Sequence, residues 1–130
     1  MSAEPNTHTE IDHELCGEPV EIVDGRATVA FEGIDRMRVD AHGLVHGGFV
    51  FGLADHAAML AVDDPNVVLG SADVRFTAPV TVGDRVTATA EVVEADGKRR
   101  VIEVSAETDG DEVLQGTMTA FVPDSHILDN

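Results

Sequence analysis

The residues best able to do chemistry stand in one stretch, from His46-Gly47-Gly48 to Asp55-His56. Asp55 interrupts a run that is otherwise apolar on nearly every side, with Phe49, Val50, Phe51, Leu53 and Ala54 before it and Ala57 to Val62 after it. A helix that is hydrophobic all round belongs in an interior, and an unpaired carboxylate is costly to bury there. A carboxylate kept in such a place is a candidate nucleophile or general base with a perturbed pKa. The plainer alternative is a helix aspartate facing solvent or capping a backbone group.

The paired glycines carry a second chemistry. Free N–H groups at a helix N-terminus face outward with the dipole behind them, and glycine leaves a ligand's approach unblocked, which makes an oxyanion site. Equally, the glycines can serve only to ease the turn into the helix. His46 can donate to the same oxygen or hold the turn, and His42, one loop turn away, is as readily structural.

Spacing decides how these groups can cooperate. Gly47 and Asp55 are eight residues apart, roughly 12 Å along a helix axis at about 1.5 Å per residue. A nucleophile and an oxyanion donor must both lie about 3 Å from one reacting carbonyl, so one helix cannot supply both. Two antiparallel helices from two chains can, each lending Asp55 to the other's Gly47. The same dimer follows from the helix itself, because a sheet covers only one side and a second copy is the simplest cover for the rest.

The elements that must position this stretch are legible from pattern. Asp63-Asp64-Pro65-Asn66 closes the helix, which at about 15 residues is too short to span a membrane. Residues 1–6 read as a loose tail. Thr7-His8-Thr9-Glu10 resembles a capping box and, with Ile11 and Leu15 four apart, predicts a short helix ending at Gly17. Val20–Val23 and Arg26–Phe31 read as strands joined at Asp24-Gly25, a hairpin signal. Gly33 to Val45 is irregular. After the helix come strand patterns over Val67–Val80, Asp84–Ala95, Arg100–Thr108 and Val113–Val122, with hairpin turns at Asp96-Gly97 and Asp109-Gly110. The expected fold class is α+β: one long central helix wrapped by a curved, mostly antiparallel sheet of five or six strands. Residues 1–13 would be a tail and helix start, 14–123 one domain, and 124–130 a polar C-terminal tail.

Composition narrows the partners. The chain has 130 residues with 43% hydrophobic content, enough for one core. The net charge of −17, with Lys98 the only lysine, repels nucleic acid and anionic lipid, so neither is expected as a partner. Acidic excess with almost no lysine fits a protein of salt-loving microbes, whose self-repulsion is screened by molar salt. No secretory n-region and apolar run opens the chain, and the lone Cys16 fits a reducing cytoplasm. Cys16 lacks a basic neighbour, which makes it a poor nucleophile. No metal-ligand spacing joins His42, His46 and His56, so no metal is expected. Lys98-Arg99-Arg100 is the one basic cluster, either a solvated hairpin flank or a seat for phosphates.

His46-Gly47-Gly48-x-x-x-x-Leu53-Ala54-Asp55 resembles the signature of hotdog-fold acyl-CoA thioesterases of the phenylacetate-degradation (PaaI-like) branch, within the 4-hydroxybenzoyl-CoA thioesterase superfamily. Arg75-Phe76-x-x-Pro79-x-x-x-Gly83-Asp84 resembles that family's strand after the helix, and the likeness runs over residues 14 to 123. The resemblance implies a hotdog fold and hydrolysis of an acyl- or aryl-CoA thioester to free acid and coenzyme A. It implies that Asp55 activates water or attacks the thioester, that the Gly47 amide polarises the carbonyl, and that His46 positions the turn. Gly48, Asp40, His42, Phe49, Ser71, Arg75, Lys98 and Arg99 are the accompanying substrate-binding candidates. Where the family often has an asparagine six residues before the motif histidine, this chain has Asp40. Where many members place Ser or Thr after the helix it has Leu69, with Ser71 expected on the same strand face, and position 58 is alanine. No cofactor is implied beyond the coenzyme A of the substrate. Family dimers often pair into tetramers. Competing readings are a non-catalytic acyl-CoA binder or regulator, and a hotdog hydratase, of whose Asp and His pair Asp40 and His42 are a weak echo.

Overall fold

The structure, a computed structural model, describes residues 4–129. Its centre is helix α2, Gly47–Val62. The helix starts where His46, extended at φ −60° and ψ 131°, caps the first turn with its side chain. It stops where Asp63 turns left-handed at φ 55° and returns its amide to the Met59 carbonyl, ahead of Pro65.

Around α2 wraps one antiparallel sheet of six strands: β1 Glu18–Val23, β2 Arg26–Glu32, β3 Val68–Phe76, β4 Arg85–Asp96, β5 Arg99–Thr108 and β6 Asp111–Phe121. Their spatial order is β1-β2-β4-β5-β6-β3. The helix therefore carries the chain from β2 to the far edge of the sheet, where β3 pairs only with β6. The hairpins fall where the turn residues put them. Asp109 and Gly110 both take positive φ, 52° and 83°, the twist that suits a two-residue hairpin. The architecture is the helix-in-a-curved-sheet expected for a hotdog fold.

Alternation brings small apolar residues to the inner face. Ala27 and Val29 of β2, Val86, Ala88 and Ala90 of β4, and Ile102, Val104 and Ala106 of β5 are all buried. Ala54, Ala57, Ala58 and Ala61 meet them from α2. Alanine on both surfaces lets helix and sheet approach closely, and Met37, Leu53, Met59, Leu60 and Met118 fill the remaining volume.

Three expectations need correction. The helix predicted from Thr7 is confined to α1, His13–Cys16, capped by Asp12 through bonds from the Glu14 and Leu15 amides. Thr7 bonds His8 instead, and His8 is left-handed at φ 55°, which interrupts a helix there. The strand expected over Val67–Val80 ends at Phe76, and residues 80–82 bond back to the loop before α2 through Val45, Leu44 and Gly43. Asn6, assigned to a loose tail, is tied to Asp63 at the end of α2 by bonds of 2.8 and 2.9 Å.

Candidate active site

Asp55 lies on the one side of α2 that the chain leaves open. Gly47 and Gly48 are exposed, and Phe49, Phe51, Gly52, Asp55 and Val62 are half-buried, while the other helix residues are buried. Gly48, Gly52 and Asp55 fall on one stripe by helical spacing. The Asp55 Oδ1 is buried with no hydrogen-bond partner among the described residues. Desolvation by burial pushes its pKa up from 3.8 to about 6. A carboxylate so placed is ionised at neutral pH yet basic enough to take a proton from water.

At the head of the helix, His46 Nδ1 accepts the Gly48 amide at 2.7 Å and the His46 carbonyl accepts Phe49 N–H at 3.0 Å. His46 itself is pinned by its amide to the Met37 carbonyl. The Gly47 amide has no acceptor among the described residues, and Gly47 is exposed. Of the donors expected there, Gly48's is thus consumed by the cap, while Gly47's is left without an acceptor among the described residues. A side chain at Gly48 would strike the His46 ring at 2.8 Å, so that glycine is explained by the cap. One at Gly52 would meet nothing within 4 Å. A mid-helix glycine costs about 1 kcal/mol relative to alanine, and the protomer's own packing gives no reason for it.

The remaining candidates are dispersed. Asp40 Oδ1 accepts the amides of His42 and Leu44, so it shapes the tight turn before the helix, while His42 is exposed on that turn. Phe49 stands edge-on to the His46 ring, 6.1 Å between centroids. Ser71 is not on the face of Leu69. A bulge between them pairs Leu69 with the buried Ala120 but Ser71 with Thr119, so Leu69 faces inward and Ser71 outward. Arg75, paired with Gln115, also faces outward, beside Asp73 and Thr117. Lys98 pairs with Asp124 at 3.1 Å and Arg99 with Glu94 at 2.9 Å on the exposed β4–β5 hairpin. Arg99 lies in register with Phe121, as does Val68, so this hairpin flanks the C-terminal end of α2, away from Gly47. A groove of about 560 Å³ opens on the outer sheet face among Arg26, Glu91, Glu103, Gln115 and Thr117, remote from Asp55.

Two neighbours of the site carry no signal in the sequence that marks them as such. Phe76, 54% exposed at the end of β3, lays its ring against Gly47, 3.5 Å from where a Cβ would stand. Arg75-Phe76 is visible as a family motif, but nothing in the motif marks its aromatic member as a wall of the site. Cys16 is close enough to Asp55 for that carboxylate to raise the thiol pKa, after burial and Asp12. A contact across 39 residues leaves no trace in spacing. Among the described residues no cluster of His, Cys, Asp and Glu is arranged to hold a metal, and no helix is long and apolar enough to cross a membrane.

Comparison with known proteins agrees with this fold. PH1136, an uncharacterized protein from Pyrococcus horikoshii, is 49% identical and superposes with a TM-score of 0.96 over 99% of both chains. A point mutant of the phenylacetic acid degradation protein PaaI from Thermus thermophilus is 32% identical, with a TM-score of 0.76 over 84% of this chain and 95% of that one. Two curated relatives are longer. A methylthioribose-1-phosphate isomerase of Aquifex aeolicus is 44% identical over 119 residues, 91% of this chain and 26% of its own length. The transcription factor FapR of Bacillus subtilis is 31% identical over 111 residues, 83% of this chain and 59% of its own. The chain therefore spans only part of the curated relatives it matches. The family model described as the thioesterase superfamily matches residues 42–115, and the chain belongs to that superfamily as a PaaI-like member with the hotdog fold.

Proposed function

We propose that the protein hydrolyses an acyl- or aryl-CoA thioester, with Asp55 as general base or nucleophile and the Gly47 amide as oxyanion donor. One observation carries this reading: a half-buried carboxylate with an unpartnered oxygen and a pKa of about 6, on the uncovered stripe of a helix whose first amide is free. In the general-base form, Asp55 takes a proton from water as its oxygen bonds to the thioester carbon. The Gly47 N–H holds the oxyanion that results. Collapse of that intermediate breaks the C–S bond, and the leaving coenzyme A sulfur takes the proton back from Asp55. In the nucleophilic form, Asp55 makes a mixed anhydride that water then opens.

Both residues lie in the same α-helix, so their separation of roughly 12 Å stands. The reading therefore places each reaction between Asp55 of one protomer and Gly47 of another, with open helix stripes face to face. The free edge of β3 beside that stripe offers the second seam. A homodimer is the minimum, and the family resemblance extends it to a tetramer. Arg75, Lys98 and Arg99 remain candidates for the coenzyme A phosphates, and no further cofactor is required. Thiol release from a panel of acyl-CoAs, at low and molar salt and with a Cys16→Ser background, tests the reading. Loss of turnover in Asp55→Asn supports it, and undiminished turnover overturns it.

The match to a transcription factor, FapR, favours a regulatory role within a second reading, a non-catalytic acyl-CoA-binding or regulatory hotdog protein. Saturable acyl-CoA binding with no thiol release across the panel would select it.

A further inference from the structure

His56 is 1% exposed, one residue from Asp55, and outside the proposed reaction. Its Nδ1–H donates to the Cys16 carbonyl at 3.2 Å, which places the proton on Nδ1 and leaves Nε2 bare and without a partner among the described residues. His8 and His13 flank the ring nearly parallel to it, with centroids at 6.2 and 6.4 Å and planes 19° and 11° apart. Cys16 ends α1, and Gly17 after it turns at φ 99° so tightly against α2 that a Cβ would lie 2.5 Å from Leu53. The bond from His56 thus fastens α1 to α2 beside the open stripe, with Cys16 within electrostatic reach of Asp55.

We propose that His56 is a positioning residue: by holding the last carbonyl of α1 it keeps that turn over one flank of Asp55 and so keeps water from the carboxylate. The inference rests on Asp55 being the working carboxylate, and it names what sets the acidity of that group. Nothing else nearby accounts for it by charge. The inward positions of the six strands are apolar except Arg100, whose guanidinium bonds the Gly97 and Arg99 carbonyls of its own hairpin, and the paired Thr108 and Asp111 at the β5–β6 turn, where Asp111 is exposed. From α1 come Cys16, Asp12 at the cap and Glu14, which is paired with Arg36; from the preceding segment comes His8, and His13 opens α1. Burial holds both His8 and His56 toward their neutral forms, and the bond to Cys16 needs only one ring proton.

The test reads the Asp55 carboxyl carbon by NMR titration and, in parallel, the acid limb of thioester hydrolysis. In the wild type both are expected near pH 6. His56→Leu fills the space but removes the donor, and the titration should fall by a pH unit or more toward the ordinary carboxylate value of about 3.9. His56→Asn, whose amide nitrogen can take the place of Nδ1, should restore it. Because a core variant can fail to fold, Asp12→Ala loosens α1 from its exposed cap and should move the titration the same way. Asp12→Asn keeps a capping side chain while removing the charge, and should not. A folded His56→Leu with Asp55 still titrating near 6, or an unmoved Asp12→Ala if the leucine variant does not fold, overturns the proposal. A wild type that titrates near 6 but hydrolyses no thioester would sink the thioesterase reading and leave this one standing.

Discussion

His46 Nδ1 accepts the amide of Gly48 at 2.7 Å, and this bond divides the two glycines of the motif into different jobs. The acceptor nitrogen carries no proton, so the ring is the Nε2–H tautomer. Removing the cap as His46→Ala should destabilise the protein by about 1 kcal/mol and lower hydrolysis by loosening the Gly47 amide. His46→Ser should recover the stability. Urea unfolding beside turnover checks both, and an alanine variant as stable as wild type would show that the cap contributes nothing.

Asp55→Asn should reduce hydrolysis by about 10²–10⁴ and stabilise the fold. The sign follows from linkage. The folded pKa of about 6 lies above the ordinary 3.8, so the native state holds the proton more tightly than the unfolded chain. Below pH 3.8 both states are protonated and the charge costs nothing. From there to about pH 6 the wild type loses stability as pH rises, and above it the penalty is full. The variant should therefore be more stable at pH 7–8, on the order of 2 kcal/mol once partial exposure is allowed for, and equal to wild type below pH 4. Equal melting temperatures throughout would contradict the buried charge.

Sharing of the site between chains has its own test. Gly47→Pro removes the amide at a helix position where proline is tolerated. Mixed with Asp55→Ala chains and co-refolded, it should restore part of the activity, since one site of each mixed dimer then carries both defects and the other neither. No recovery in verified mixed dimers would overturn the shared site and, with it, the pairing of Asp55 with the Gly47 amide.

Ionic strength is the fourth lever. With a net charge of −17, self-repulsion is nearly unscreened at 0.01 M salt, where the Debye length is about 30 Å, and largely screened at 1 M. The melting temperature should climb steeply between them. A flat profile would separate the acidic composition from adaptation to salt.

How much of this was legible beforehand depends on the range of the interaction. The extent of α2, its two polar interruptions and the three Gly-containing hairpins follow from local pattern, and the structure repeats them. The N-terminal segment does not. Thr7 to Glu10 fits a local capping rule, but packing chose Asp12 as the cap and bent His8 left-handed beside a histidine 48 residues away. At the site, Asp55 and Gly47 could be named because their chemistry conflicts with their surroundings. Phe76 agrees with its surroundings, as an aromatic on a strand, and His56, though visible as a polar interruption, carries no local sign of its bond to Cys16, so only the tertiary contacts reveal what each one touches.

The bulge at Gly70 sets the parity of β3. Upstream of it the odd-numbered Leu69 looks toward the helix, and downstream the even-numbered Ala72, Val74 and Phe76 do. The Phe121 ring holds this offset, lying 2.5 Å from where a Cβ on Gly70 would stand. Deleting Gly70 itself would only remove the bulge and keep every pairing, whereas losing one residue beyond it, such as Ala72, with the bulge kept, would exchange the two faces over the remaining length. Asp73 and Arg75 would then turn inward and Phe76 would leave Gly47. An insertion or deletion past the bulge is therefore a larger event than any point substitution there, because it rewrites which side chains the helix sees.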